Sequence, residues 1–176
     1  MDTYMEHIIK QKYSLKSISI ILLTFILASV LSIVTFIFSF IEPLVMQFAF
    51  ALIVLYFFGF WWVCQKFSIE YEYILTNDEI DVDKITGKRS RKRMLTVSCK
   101  KFEKFGIAEG YEFENIMKDK SYRIKFDASI GKGSYNRYYA VFCNKNGDDM
   151  VLIFNPTTDM LKKFKLFNPE IIKFEE

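Results

Sequence analysis

The stretch Ser17–Cys64, SISIILLTFILASVLSIVTFIFSFIEPLVMQFAFALIVLYFFGFWWVC, decides the reading of this chain. Its only formal charge is Glu42, whereas from Lys66 onward charges come every few residues. A mean hydropathy of +0.12 beside 26% charged residues fits such a segregated chain and not one interleaved globular core. Residues 17–41 are uncharged, and roughly 25 residues of helix reach about 37 Å, enough to cross a ~30 Å hydrocarbon core with some tilt. After Glu42 and Pro43, residues 44–64 repeat the pattern over roughly 21 residues. One charged residue and a proline leave room only for a tight antiparallel turn, and Pro43 suits the first position of the second helix.

Lys10, Lys12 and Lys16 precede the first span, Lys66 follows the second, and the turn holds no lysine or arginine. Positive charge stays on the cytoplasmic side, so the expectation is a multi-pass protein of the cell membrane with both termini cytoplasmic. Trp61 and Trp62 are the expected interface anchors. The first apolar run is too long for a signal-peptide core and lacks a small-residue cleavage site. Thr24, Ala28, Ser32, Thr35 and Ser39 form one stripe of small residues, the expected packing face. Neither span carries an ionisable group at depth, which favours an anchor over a solute path. Gln47 is expected to bond across to the partner helix. The resulting division is a cytoplasmic segment 1–16, a two-helix transmembrane hairpin 17–64 and a cytoplasmic domain 66–176.

The domain reads as mainly β. Ile69, Tyr71, Tyr73 and Leu75 alternate with Glu70 and Glu72 up to a turn at Asn77-Asp78. Ile80 and Val82 alternate with Asp81 and Asp83 up to Thr86-Gly87, and a third run from Arg93 to Cys99 completes an antiparallel meander. Residues 100–110 read as either a short strand or a helical turn. Further strands are expected at 122–128, 137–144 and 150–154, the last two joined by an Asn146-Gly147 hairpin turn. A helix follows, with Asn155 as N-cap, Pro156 in first position and Met160, Leu161 and Phe164 at helical spacing, stopped by Asn168-Pro169.

About seven short antiparallel strands and a closing amphipathic helix resemble a pleckstrin-homology (PH)-like barrel. With YEYILTNDEIDVDKITGKRSRKRMLTV (Tyr71–Val97), NPTTDMLKKFKLFNP (Asn155–Pro169) and two preceding apolar spans, nearly the whole chain resembles a small family of bacterial membrane-anchored PH-like proteins from Gram-positive species. The fold class it implies is a membrane helical hairpin plus an α+β PH-like barrel with a C-terminal capping helix. The resemblance carries architecture and no activity.

The basic run Lys88, Arg89, Arg91, Lys92 and Arg93 is the main site candidate. It reads equally as a contact for anionic lipid headgroups or a partner, and as a solvated strand edge that obeys the positive-inside bias. The first hairpin turn, where PH domains usually hold basic residues for phosphoinositides, is here the acidic Asn77-Asp78. No aromatic platform is interleaved with the basic run, and the net charge is only +3, so nucleic acid is not an expected partner. Expected partners are membrane lipids, with other membrane proteins or a second copy left open.

Gly131-Lys132-Gly133-Ser134 fails the phosphate-loop pattern, since Gly133 stands where Ser or Thr should follow the lysine. Asp81 with Asp83, and Glu70 with Glu72, read as carboxylates of a solvated strand face. An enzyme would need Asp81 and Asp83 to converge with Arg or Lys in a deep cleft. His7, the only histidine, is read as part of a tail before the membrane, which leaves no histidine for catalysis or a metal in the domain. Cys64, Cys99 and Cys143 are too scattered for a zinc site, and an oxidised Cys99–Cys143 pair would be unusual in a reducing compartment. No cofactor, metal or catalytic residue is expected. The leading reading is a non-enzymatic interaction module at the inner leaflet. The alternative is an accessory or ligand-sensing subunit of a transporter or envelope-stress system, with a pocket at Tyr135, Tyr138 and Tyr139.

Overall fold

A computed structural model describes residues 4–144 and 147–173, and the chain divides into two compact units, described in turn. One holds residues 13–68 together with 86–88, and the other holds the β domain.

Helices α1 (Leu15–Phe38) and α2 (Pro43–Phe67) are both long and apolar enough to cross a membrane, with mean hydropathies of 2.8 and 2.1. Pro43 opens α2 as expected. The small-residue stripe is the packing face: Ala28 and Thr35 are buried, and Thr24, Ser32 and Ser39 are half-buried. The hydroxyls of Thr24 and Ser32 donate to carbonyls one turn back, at 3.0 Å to Ile20 and 2.7 Å to Ala28, so these polar groups need no water. Gln47 is exposed, and the cross-helix polar contact is instead Thr35 Oγ1 to Tyr56 OH at 3.4 Å.

The domain is two four-stranded sheets and not a closed barrel. The first runs in order β1 (Tyr4–Lys10), β2 (Ile69–Thr76), β3 (Glu79–Thr86), β4 (Ser90–Ser98). Its opening strand, β1, lies in the segment expected to be a tail before the membrane. It pairs antiparallel with β2 from Tyr4↔Thr76 to Lys10↔Glu70, so both apolar helices are inserted into one β-hairpin connection.

A 3₁₀ turn (Cys99–Lys101) leads to the second sheet, in order β5 (Lys104–Ile107), β7 (Tyr138–Cys143), β8 (Asp149–Phe154), β6 (Ile124–Asp127). β6 pairs parallel with β8, against the all-antiparallel expectation. Side-chain alternation specifies which face a residue takes and not the direction of the neighbouring strand. β7 and β8 form the expected hairpin. Asn146 of its expected turn lies outside the described residues, and Gly147 takes φ 84 with its N–H on Asn144 O at 3.1 Å.

The main core lies between the sheets, where Tyr73, Leu75, Ile80, Val82, Phe142 and Phe154 are almost fully buried. Helix α4 (Thr158–Phe167) seals it with Met160, Leu161 and Phe164, as their spacing predicts. A second core lies on the opposite face of the second sheet, where Tyr139, Val141, Val151 and Ile153 meet Ile116 of α3 (Gly110–Lys118). Burial on both faces explains why Met150–Phe154 is apolar without a break.

The N-cap of α4 is Thr157, whose hydroxyl accepts from Met160 N–H at 3.2 Å, and not Asn155. Asn155 is buried and ties loops together instead. Its side-chain oxygen accepts from Ile130 N–H (2.8 Å), and its amide nitrogen donates to Ser134 Oγ (3.2 Å) and Tyr135 O (2.8 Å).

Candidate functional site

Of the five basic candidates, Arg89 lies exposed in the β3–β4 turn, and the other four divide into two groups. Arg91 and Arg93, on β4, face the carboxylates of the neighbouring strands. Arg91 bonds Glu72 and reaches Asp83 at 3.1 Å, while Arg93 reaches Asp81 and Asp83, each at 3.1 Å. Thr96 continues the row with a 2.5 Å bond to Asp81, and Ser98 with a 2.6 Å bond to Asp78. The Ser98 hydroxyl holds Asp78 below the usual carboxylate range.

Glu72 and Asp83 are only 3% and 5% exposed, which corrects the reading of these acids as a solvated face. The arginines are about half exposed, so each pair alone contributes little. Removing an arginine would nevertheless leave a buried carboxylate without its partner, a costly arrangement. Asp81 and Asp83 do converge with Arg91 and Arg93, but as a cross-strand ladder along a sheet face.

Lys88 and Lys92 are exposed and make no ion pair among the described residues. Lys88 sits in the β3–β4 turn, where Gly87 and Lys88 both take positive φ (60° and 58°). Residues 86–88 pack with the two helices as one unit. The Gly87 N–H donates to the carbonyl of Ser68, the C-cap of α2, at 2.8 Å. The Gln65 side chain is oriented between them, its nitrogen donating to Gly87 O (3.3 Å) and its oxygen accepting from Trp61 Nε1 (3.3 Å). A Cβ on Gly87 would stand 3.0 Å from Gln65 O, so both the backbone conformation and the tight space favour glycine. Trp62 is 52% exposed, and Lys66 Nζ lies 3.7 Å from its ring centroid, a cation–π contact at the end of α2. Trp61, Trp62, Lys66 and Lys88 thus gather at one end of the helical hairpin.

The other candidates fall apart or become structural. Tyr135 and Tyr138 line a hollow of about 210 Å³, but Tyr139 is buried in the second core, where burial pushes its phenol up to about 12. His7 is in β1 and not in a tail. Its ring lies 6.1 Å from that of Tyr73, and burial lowers its pKa. Cys64, Cys99 and Cys143 are all free thiols, Cys99 buried with its pKa pushed up to about 12 and Cys143 exposed. The Gly131–Ser134 loop is held through Ser134 by Asn155.

Two features escaped the sequence reading. Helix α3 was legible from Phe113, Ile116 and Met117 at helical spacing. The buried Arg137, bonded to Asp127 (2.8 Å) and Ser129 (3.0 Å), carries no local signature.

No curated protein and no solved structure matches the chain. A family model does: the bacterial PH-like domain (DUF6106) matches residues 1–174, helices and domain together. An N-terminal pair of apolar helices, two mostly antiparallel sheets and a closing helix therefore have a common identity, and the chain belongs to this family of bacterial PH-like domain proteins.

Proposed function

We propose that this protein is a non-enzymatic, membrane-anchored interaction module. In this reading α1 and α2 hold the PH-like domain at the inner leaflet, and Lys88 and Lys92 contact anionic lipid headgroups. The observation that carries the reading is the hydrogen bond from Gly87 to Ser68, which keeps the basic turn at the end of α2 beside Trp61 and Trp62. Tryptophans settle at headgroup level. A lysine near an anionic surface contributes about 1 kcal/mol of attraction. Arg91 and Arg93 serve the cross-strand ladder and Arg89 has an interaction of its own, so the lipid contact rests on the two lysines.

Trp61 and Trp62 are the chain's only tryptophans and report on their own lipid neighbours. In nanodiscs, energy transfer from tryptophan to a headgroup-labelled anionic lipid should exceed transfer to an equally labelled zwitterionic lipid. The excess should shrink in Lys88→Gln/Lys92→Gln. Equal transfer to both lipids in the unaltered chain, or an excess that survives the substitutions, would remove the lipid contact from the account.

A further inference from the structure

The two sheets leave two strand edges facing one cleft. Among the described residues, β4 ends the first sheet and pairs only with β3, and β6 ends the second and pairs only with β8. Between them opens a cleft of about 710 Å³, lined by consecutive residues of both strands, 94–98 and 124–126. Successive side chains of a strand point to opposite faces. An unbroken run of neighbours therefore lines a cleft only where the strand's edge, with its backbone groups, forms the wall.

Which backbone groups face the cleft follows from the bonds on the other side. Cys99 N–H donates to Asp78 O at 2.7 Å, so alternation turns the N–H and C=O of Thr96 and Ser98 away from β3. Ala128 N–H donates to Ile153 O at 2.8 Å, so alternation turns the backbone groups of Asp127 and Lys125 away from β8, and Lys125 is the one of the two that lines the cleft. The deeper lining is apolar, with Phe126, Phe142 and Met150.

An acyl chain would fill the apolar depth but leave those backbone donors and acceptors desolvated without partners. An extended peptide satisfies them. The charges specify the kind of peptide. Arg91 and Arg93 are matched by Glu72, Asp81 and Asp83. The charge offered to a ligand is therefore that of Lys92 on β4 and of Lys101 and Lys125 in the lining, against the single carboxylate of Glu79. Lys125 also donates to Met117 O and Asp119 O. The exposed Lys92 on this edge is a usual device by which an edge strand avoids pairing with its own copy.

We propose that the cleft between β4 and β6 receives an extended, acidic segment of a partner protein, which adds as a strand to the β4 edge with alternate apolar side chains in the cleft. This rests on reading the domain as an interaction module and is independent of lipid contact at Lys88.

The test presents full-length protein in detergent to a displayed library of random twelve-residue peptides. Selected sequences should alternate apolar residues with Asp or Glu. They should bind at least tenfold more weakly to Thr96→Pro, a substitution an edge strand tolerates where its N–H faces outward, and to Lys101→Glu. A selected peptide N-methylated at alternate residues should lose binding to the unaltered chain, which keeps the test decisive should Thr96→Pro fail to fold. The proposal is overturned if the library yields no binder, or if binders lack the alternation or are indifferent to backbone methylation. It is equally overturned if palmitate alone occupies the cleft and no peptide does. None of these outcomes bears on the tryptophan-to-lipid transfer, so the two readings fail separately.

Discussion

Lys10 and Glu70 stand opposite each other in the β1–β2 ladder, although both apolar helices lie between them in the chain. One rung further on, the Gln11 N–H donates to Ile69 O at 3.0 Å. The chain thus leaves the sheet and returns to it at the same place. Strands that pair must lie on one side of any membrane the helices cross, so an odd number of crossings is incompatible with this ladder. Two antiparallel helices satisfy it without strain.

The same relationship makes the domain separable. Replacing residues 13–68 with Asn-Gly, which with Lys12 makes a three-residue hairpin loop ending in glycine, should give a soluble chain with the native β domain, because Gln11 and Ile69 already pair at the end of that ladder. Circular dichroism and amide chemical-shift dispersion check this. A chain that aggregates or lacks dispersion would mean that the helices contribute to the fold beyond closing the connection.

The basic candidates should separate by what they face. Arg91→Gln leaves the buried Glu72 without its cation and should destabilise the domain by about 3 kcal/mol. Lys92→Gln, on an exposed side chain without an ion pair, should fall within about 0.5 kcal/mol of the unaltered protein. Urea unfolding of the soluble domain measures both.

Asn155 and Thr157 should also differ. Thr157→Ala removes a helix cap and should cost about 1 kcal/mol. Asn155→Ala strands Ile130 N–H and frees the 131–137 loop, so the cost should be larger, about 2–4 kcal/mol. Phe164→Ala, which empties the core under α4, should cost about 3–5 kcal/mol. Thermal or urea unfolding should rank the three in that order, with Thr157→Ala mildest.

His7 supplies a pH dependence of definite sign. Burial against Tyr73 lowers its folded pKa, while in the unfolded chain it titrates at about 6.5. The unfolded state therefore binds the extra proton, and the stability this contributes is full above about pH 6.5 and is lost as pH falls toward the folded value. As the only histidine, it can be followed directly by its ring-proton resonances. The stability difference between pH 7.5 and 5.5 should shrink in His7→Phe.

How much was legible follows from where the signals sit. Alternation at Ile69–Leu75 and Ile80–Val82 reads directly as β2 and β3, because one face is core and the other polar. Thr24, Ala28, Ser32 and Thr35 showed the helix face that packs, since only close approach selects small residues there. Strand β1 was missed because MEHIIK stands alone before an apolar span, and its partner lies beyond the whole hairpin. The site was only half legible for a related reason. Arg91 and Lys92 are alike as neighbours in a basic run, and only the cross-strand acids Glu72 and Asp83 tell them apart. The β4–β6 cleft could not be read at all, since it arises from two sheet edges far apart in sequence.

The central claim is that the PH-like domain is held at the inner face of the membrane. Cys143 is exposed at the end of β7, whereas Cys99 is buried with its thiol pKa raised to about 12, so a water-soluble maleimide near neutral pH reads Cys143 within the domain. Applied to a Cys64→Ser variant in intact protoplasts and in opened membranes, a membrane-impermeant maleimide should label Cys143 only after opening. Labelling of Cys143 in intact protoplasts would contradict the account.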